Sequence, residues 1–172
     1  MIKHFAWPYV ISKFEEHKIV KERLLYLIEN DIGQAVDLDN LDKISKTDWY
    51  NNKNIPKNYW SFLFPYIEKH NREVFDALEH DQPEYLQNWF QQYKSNDKHR
   101  WHQHRNCTWA GVYYVELGKD CPRTMFKDPF TKEIIVPELE EGDILTFPGL
   151  LWHCSPENQS DERKTIVAYN VY

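Results

Sequence analysis

The sequence predicts a single α+β domain in which a double-stranded β-helix, the jelly-roll architecture, is supported by N-terminal helices. The length of 172 residues suits one domain with its own core. Two helical patterns occupy the first half of the chain, and short strand-like segments separated by turn residues fill the second half. We therefore expect residues 1–85 to form a first strand and the helical support, and residues 86–172 to form the jelly-roll core.

The first strand and the first helix follow from local patterns near the N-terminus. Residues 5–11 have the apolar content of a strand. Ser12 and Glu15 form a capping-box pattern, in which a hydroxyl and a carboxylate satisfy the free amide groups at a helix start. Apolar residues then recur at helical spacing, which predicts a helix over residues 13–30.

A second helical pattern covers residues 59–79. It contains Pro65, which we expect either in the first turn or at a kink. Residues 37–56, between the two helices, are polar and are predicted to be irregular. These helices are expected to pack on one face of the jelly roll.

The second half of the chain alternates short apolar segments with turn residues. Candidate strands cover residues 86–93, 100–104, 108–117, 123–126, 133–136, 143–147, 151–155 and 164–171. Eight short strands at this spacing indicate a sandwich or a barrel. A jelly roll closed by helices on one face fits their order.

Composition and charge narrow the function classes. The net charge of -6 and the pI near 5.7 argue against duplex nucleic acid as a partner, because such binding needs clustered Lys and Arg. No membrane-spanning segment or signal-peptide core is evident, which predicts a soluble, cytoplasmic protein.

The three cysteines have no Cys-x-x-Cys spacing and are expected to be reduced thiols. The aromatic fraction of 16% predicts a ring-rich core or pocket and leaves room for a homodimer interface.

Three histidines form the candidate metal site. His102 and His104 are two residues apart, so in a strand their side chains point to the same face. His153 lies between apolar neighbours, where a metal would satisfy one of its buried nitrogen atoms. The alternatives are a histidine-rich surface strand for the pair and a core histidine bonded to a backbone carbonyl for His153.

Arg163 is the candidate partner of an anionic ligand. The segment that begins at Arg163 alternates, so that Arg163, Thr165, Val167 and Tyr169 share one face. A guanidinium that points inward needs an anion, and a carboxylate matches it with two hydrogen bonds. The alternative for Arg163 is an ordinary surface salt bridge.

The order of motifs resembles the Fe(II)/2-oxoglutarate-dependent oxygenases, and most closely their small, prolyl-hydroxylase-like branch from bacteria and phages. The resemblance covers residues 86–172. Its motifs are His-x-His at 102–104, Gly-Val-Tyr-Tyr-Val at 111–115, Phe-x-Asp-Pro at 126–129, Glu-Gly-Asp-Ile-Leu-Thr-Phe-Pro at 141–148, then His153 and Arg-x-Thr at 163–165. No single motif is specific, but six in this order are.

The resemblance implies a ligand set. It assigns His102 and His153 to Fe(II), and it places His104 where most of the superfamily has Asp or Glu. We take His104 as the third ligand. The residues that the resemblance assigns to 2-oxoglutarate are Arg163, at the C5 carboxylate, with Tyr114, Thr165 and Tyr93.

The resemblance also implies an activity. The enzyme would be a dioxygenase that uses molecular oxygen to hydroxylate a small molecule or peptide and releases succinate and CO2. One alternative is a dioxygenase that keeps three histidines on a cupin barrel and uses no keto acid. Another is a non-catalytic jelly-roll binding module. Arg163 favours the keto-acid enzyme over the three-histidine dioxygenase, because that enzyme gives it no assigned partner.

Overall fold

Two antiparallel sheets and two helices make up the part of the chain that the computed structural model describes, which is residues 7–39, 41–51, 55–81 and 83–172. The helices are α1 (His17–Asn30) and α2 (Asn58–Ala77). The strands are β1 (Val10–Lys13), β2 (Gln34–Leu38), β3 (Asp42–Thr47), β4 (Tyr85–Tyr93), β5 (His99–His102), β6 (Trp109–Glu116), β7 (Met125–Lys127), β8 (Ile134–Ile135), β9 (Asp143–Pro148), β10 (Trp152–Ser155) and β11 (Lys164–Val171).

The strands are divided between a larger and a smaller sheet. The larger sheet has seven strands in the order β1-β9-β6-β11-β4-β3-β2, and the smaller has four in the order β5-β10-β7-β8. All of these pairings are antiparallel. The central strand β11 is buried along its whole length, with β4 on one side and β6 on the other.

The helices cover one face of the larger sheet. In α1 the buried residues Val20, Leu24 and Ile28 recur every four positions, which places them on one stripe of the helix. They pack with α2 residues such as Leu63 and Ile67, and with sheet residues that include Tyr113, Val167 and Tyr169. A first core therefore lies between the helices and the larger sheet.

A second core lies between the two sheets. Phe126 of β7 and Phe147 of β9 contact edge to face, with 5.0 Å between ring centroids. Ile166 and Ala168 belong to this second cluster, whereas Val167 and Tyr169 belong to the first. Successive residues of β11 thus alternate between the two cores, as the pleat of a strand requires.

Gly111 allows Tyr169 to cross from the sheet to the helices. The two residues are paired across β6 and β11, and a Cβ atom on Gly111 would lie 2.2 Å from Cζ of Tyr169. The Tyr169 hydroxyl donates a hydrogen bond to Asn71 Oδ1 at 3.0 Å. A side chain at position 111 would therefore displace the ring that joins β11 to α2.

The N-terminal predictions need two corrections. The first strand is shifted towards the C-terminus, and residues 5 and 6 of the predicted strand lie outside the described residues. The first helix begins at His17 rather than at residue 13, and Ser12 does not cap it. Ser12 is instead paired with Ile144 in the sheet, and its Oγ is hydrogen-bonded to His70 Nε2 at 2.8 Å. Strand pairing has overridden the local capping pattern.

The segment between the helices was also predicted incorrectly, because it contains much of the hairpin β2–β3. Val36 and Ile44 are paired and buried, whereas the residues on either side of each are more exposed, which is an alternation of period two. Pro65 lies inside α2, beyond the first turn, and the helix continues to Ala77.

The strand predictions for the second half of the chain are confirmed. All eight predicted strands are present as β4 to β11, and their bounds differ from the predictions by two residues or fewer. The N-terminal half adds β1 to β9 and β3 to β4, so it contributes strands to the larger sheet as well as helices. Neither described helix is long and apolar enough to cross a membrane.

Candidate metal centre and cofactor pocket

Three histidines meet where the smaller sheet faces the larger one. His102 ends β5 and is paired with His153 of β10, and His104 follows two residues after His102. The metal-ligating atoms of the three side chains all lie within 4.8 Å of one another. No carboxylate belongs to this group among the described residues, and His104 is turned towards the other two histidines rather than to solvent.

Each of the three imidazoles has its Nδ1 atom held by a hydrogen-bond acceptor. Nδ1 of His102 lies 2.8 Å from the Arg100 carbonyl, and Nδ1 of His153 lies 2.8 Å from the Leu151 carbonyl. Nδ1 of His104 lies 2.7 Å from Asn170 Oδ1. A neutral imidazole that donates from Nδ1 presents a lone pair at Nε2, which is the arrangement usual for metal-ligating histidines.

Burial keeps these histidines in the neutral form that binds metal. Desolvation lowers the pKa of His104 to about 4, and the neighbouring His102 contributes to this shift. Desolvation also lowers the pKa of His102, and it lowers that of His153 well below the usual value. All three side chains are therefore neutral at pH 7, and a cation does not have to displace protons from them.

Gly149 fixes the backbone of His104. The amide of His104 donates to the Gly149 carbonyl at 2.7 Å, and the amide of Gly149 donates to the Thr108 carbonyl at 2.9 Å. A Cβ atom on Gly149 would lie 2.6 Å from both the His104 carbonyl oxygen and Cys107 Sγ. The Pro148-Gly149 turn thus holds the third histidine in place through close backbone approach.

A cavity of about 490 Å³ opens beside the histidines. Its lining from the larger sheet includes Gln91 and Tyr93 of β4 and Ile166, Ala168 and Asn170 of β11. Thr124 and Ser155 also line it.

Lys164 is a buried cation with a contact in this lining. Its side chain is 1% exposed, and Nζ donates to the Ser155 hydroxyl and to the Pro122 carbonyl, the latter at 3.1 Å. Nζ also lies 4.5 Å from the centroid of the Tyr93 ring. No carboxylate pairs with Lys164 among the described residues, and burial lowers its pKa to about 7. An anionic ligand would offset the cost of burying this charge.

Arg163 points away from the cavity, which contradicts the orientation predicted for it. Its Nε and Nη2 atoms donate to the two carboxylate oxygens of Glu116 at 2.9 and 3.1 Å, and Nη1 pairs with Glu29. The guanidinium is fully engaged by these two carboxylates, so the alternative of an ordinary surface salt bridge describes Arg163 better. Thr165, on the same side of the strand, also donates to Glu116.

Arg163 points away from the cavity because its side of β11 faces the helices. The sequence predicted one shared face for Arg163, Thr165, Val167 and Tyr169. On that face Arg163 and Thr165 both bind Glu116, and Val167 and Tyr169 belong to the helix-covered core. The cavity lies on the opposite face, with Ile166, Ala168 and Asn170.

Two predicted cofactor residues lie on the cavity side. Tyr93 lines the cavity, and its hydroxyl donates to Gln91 Oε1 at 2.8 Å. Tyr114 is fully buried, and its hydroxyl is hydrogen-bonded at 2.6 Å to Thr124, which lines the cavity. Tyr114 therefore reaches the cavity through Thr124.

The sequence patterns missed three residues of the site, namely Lys164, Asn170 and His99. His99 stacks on His102 with 4.0 Å between ring centroids. Its spacing of three from His102 is not a strand period, so it gave no signal. Lys164 and Asn170 are polar residues separated by six positions on a buried strand, and this even spacing is a signal that could have identified them.

The three cysteines are free, as predicted, and all three are buried. Cys154, next to His153, lines the cavity, and burial raises the pKa of its thiol to about 11.

Asn170 should control metal affinity through His104. Replacing Asn170 by Leu removes the acceptor at His104 Nδ1 and should weaken metal binding by about 10- to 100-fold, the usual effect of losing such a partner. Asn170→Asp keeps an acceptor and should bind at least as tightly as the parent. Zn(II) affinity, measured by chelator competition, tests this; equal affinity of the Leu and Asp variants would contradict the orienting role of Asn170.

Similarity to known proteins is found among solved structures. No protein-family model matches the chain, and no curated protein matches it. Solved structures do match. A viral collagen prolyl hydroxylase from Paramecium bursaria Chlorella virus-1, solved with 2-oxoglutarate, is 14% identical, with 95% of this chain and 94% of that chain covered and a TM-score of 0.66.

Two bacterial structures match over a similar extent. A prolyl-4-hydroxylase from Pseudomonas putida is 11% identical, with 96% of this chain and 94% of that chain covered and a TM-score of 0.63. An oxidoreductase of the 2OG-Fe(II) oxygenase family from Burkholderia pseudomallei is 12% identical, with 95% and 84% covered and a TM-score of 0.73. The chain therefore shares the fold of 2-oxoglutarate- and iron-dependent oxygenases, the prolyl hydroxylases among them.

Proposed function

We propose that the protein is an Fe(II)- and 2-oxoglutarate-dependent oxygenase that hydroxylates its substrate and releases succinate and CO2. One observation carries this proposal. Three neutral histidines, each with Nε2 left for a metal, converge at a cavity next to the buried ammonium of Lys164. A metal would bind the three Nε2 atoms, and an anionic co-substrate would pair with the ammonium of Lys164.

The donor set fits a divalent iron ion. His102, His104 and His153 would occupy three positions around the ion and leave the others for small ligands. Imidazole is a suitable donor for Fe(II), although it also suits zinc and copper. Because all three donors are neutral, the ion would keep its full charge and would attract an anionic co-substrate strongly.

The pocket also offers partners for the distal carboxylate of 2-oxoglutarate, at the end of the molecule away from the metal. We assign the distal carboxylate to Lys164, with the Ser155 and Thr124 hydroxyls beside it and Tyr93 along the chain of the co-substrate. In this assignment Lys164 replaces Arg163, and Tyr114 acts by orienting Thr124. Thr165 has no role in co-substrate binding, because it donates to Glu116 on the other face.

The bound metal and co-substrate together would supply the oxidation of a C–H bond by molecular oxygen. The residues of the chain would exclude water from that reaction. Phe147 contacts His153 with 4.7 Å between ring centroids, and Trp89 contacts His104 at 5.4 Å. These rings cover the histidines on two sides and lower the local dielectric constant.

The fold is part of the proposal. We assign the facing strands of the two sheets to a double-stranded β-helix, with β5, β10, β7 and β8 forming its smaller sheet. The core between Phe126 and Phe147 supports this assignment. The whole chain would act as one domain, because β1 and β3 complete the larger sheet.

A dioxygenase that uses three histidines and no keto acid is the second candidate. The lack of a carboxylate among the clustered ligands favours it. Lys164 argues against it, since that mechanism leaves a buried cation without an anionic partner.

Anaerobic addition of Fe(II) and then 2-oxoglutarate should produce a visible charge-transfer band with one equivalent of each. On exposure to oxygen the sample should form succinate, measured by mass spectrometry. His153→Ala should lose the band, whereas His80→Ala, at a half-buried histidine outside the site, should keep it. Fe(II) binding without a band or succinate would promote the keto-acid-independent enzyme, and a band that survives in His153→Ala would remove the metal assignment.

Lys164 and Arg163 should differ sharply in their effect on the co-substrate. Lys164→Met should weaken 2-oxoglutarate binding by roughly 2–5 kcal/mol, the cost of removing one partner from a buried charge pair. Arg163→Gln should leave this affinity within about twofold and lower stability by less than about 1 kcal/mol, because its ion pairs are partly exposed. Titration of the charge-transfer band measures both. A larger effect at Arg163 than at Lys164 would reverse the assignment.

Binding of 2-oxoglutarate should depend on pH through Lys164. Burial lowers the pKa of Lys164 to about 7, with the thiols of Cys121 and Cys154 raising it and Arg123 lowering it. The dianion binds the ammonium form, so the dissociation constant should be flat below this pKa and rise by up to about tenfold per pH unit above it. Lys164→Arg stays charged and should not show the rise. A parent protein whose affinity is constant up to pH about 9 would contradict the role of Lys164.

A further inference from the structure

The outer part of the cavity has an aromatic side. Trp49 and Tyr50 line it and remain 40% and 56% exposed. The Trp49 ring contacts Trp89 at 4.5 Å between centroids, and Trp89 contacts His104 at 5.4 Å. A ligand that stacks on Trp49 would therefore lie only two ring contacts away from a metal-ligating histidine, which is within the reach of a small molecule.

The cavity mouth also has polar groups that the fold does not use. The side chains of Arg105, Asn106 and Gln87 line the cavity and make no hydrogen bond or ion pair with any described residue. Arg105 directly follows His104. A guanidinium and two amides thus remain available to a ligand within the same cavity as the exposed aromatic rings.

Negative charge is scarce in this lining. Among the described residues that line the cavity, Asp42 is the only carboxylate, and it is 5% exposed. It accepts a hydrogen bond from the backbone amide of Arg100 at 2.8 Å and pairs with the Arg100 side chain at 3.3 Å. The ammonium group of a free amino acid would therefore find no open carboxylate.

From these features, and resting on the proposed function, we propose that the substrate is a nucleoside 5′-monophosphate. The base would stack on Trp49 and Tyr50, as nucleic-acid bases stack on aromatic side chains. The amides of Gln87 and Asn106 would bond the base edge, and Arg105 would bind the phosphate. An uncharged nucleoside would leave Arg105 without a partner, and a free amino acid would leave its ammonium without one.

A free nucleotide fits better than a nucleotide within a strand. The chain carries a net charge of -6, which disfavours the repeated phosphates of a polymer. The part of the lining that the structure describes has two arginines, Arg100 and Arg105, and Arg100 is already paired with Asp42. One unpaired guanidinium matches one terminal phosphate.

Calorimetric titration of the Fe(II)-loaded protein under anaerobic conditions, with 2-oxoglutarate present, tests the proposal. The probes are AMP, GMP, CMP and UMP, the four nucleosides, ribose 5-phosphate, tryptophan and a short single-stranded oligonucleotide. At least one monophosphate should bind about tenfold more tightly than its nucleoside and than ribose 5-phosphate, because the base and the phosphate each contribute. The proposal is overturned if no monophosphate shows this margin, or if tryptophan or the oligonucleotide binds more tightly than the monophosphates.

Variants separate the two contacts. Arg105→Gln should lower monophosphate affinity by about tenfold or more and leave nucleoside affinity unchanged. Tyr50→Ala should lower both affinities alike, by about fivefold or more. Arg23→Gln removes an exposed arginine of α1 outside the cavity and is the matched control for charge alone. Equal effects of Arg105→Gln and Arg23→Gln would overturn the assignment of Arg105.

The charge-transfer band, recorded in the same samples, keeps the two proposals apart. A band without nucleotide binding would overturn the substrate class and leave the oxygenase in place. If a nucleotide binds, its affinity falls in Arg105→Gln and no band forms, the result supports the cavity mouth as a nucleotide site and overturns the oxygenase proposal. Thermal melting of each variant shows whether a lost affinity reflects a lost fold.

Discussion

The alternation of side chains along β11 is the constraint on which both halves of this molecule depend. One face of the strand packs under the helices through Val167 and Tyr169. The other face lines the cavity through Ile166, Ala168 and Asn170. A shift of one residue in this strand would exchange the two sets, so that the core would receive polar groups and the pocket would receive large rings. The pairing of β11 with β4 and β6 excludes that shift.

The histidine cluster and the buried lysine give the pocket an unusual electrostatic character. The imidazoles are neutral, the lysine has no acidic partner among the described residues, and the carboxylate at the mouth is already paired. A divalent ion would add positive charge to a site that contains little negative charge. In the proposed enzyme, anionic ligands would balance this positive charge, so a bound metal would favour both an anionic co-substrate and an anionic substrate.

Much of the β-rich half and the three histidines could be predicted from the sequence, because short apolar segments between turns and a pair of histidines two apart are local signals. The role of Arg163 could not. Every residue of β11 is buried, so the strand lacks the polar and apolar alternation that would show which face meets the pocket. Lys164 is a cation as well, so two neighbouring residues could each bind an anionic ligand. Only the packing of the helices against one face of β11 distinguishes Arg163 from Lys164.

The errors near the N-terminus have a related cause. Ser12 lies in a capping pattern, but its partner is Ile144, far away in sequence. The hairpin β2–β3 extends the sheet beyond β4, and its apolar content is too low to identify it without that neighbour. Long-range pairing decided both segments, and a local reading of the chain contains no information about it.

The cysteine beside the histidine cluster has a consequence for the proposed chemistry. With its thiol pKa near 11, Cys154 is almost entirely protonated at neutral pH, and the thiol reacts far more slowly with oxidants than the thiolate does. It is also a poor competitor for the metal, since a cysteine ligand must first lose its proton. If the histidines hold iron as proposed, Cys154 would therefore border the ion as a space-filling group that neither binds it nor supplies a reactive thiolate.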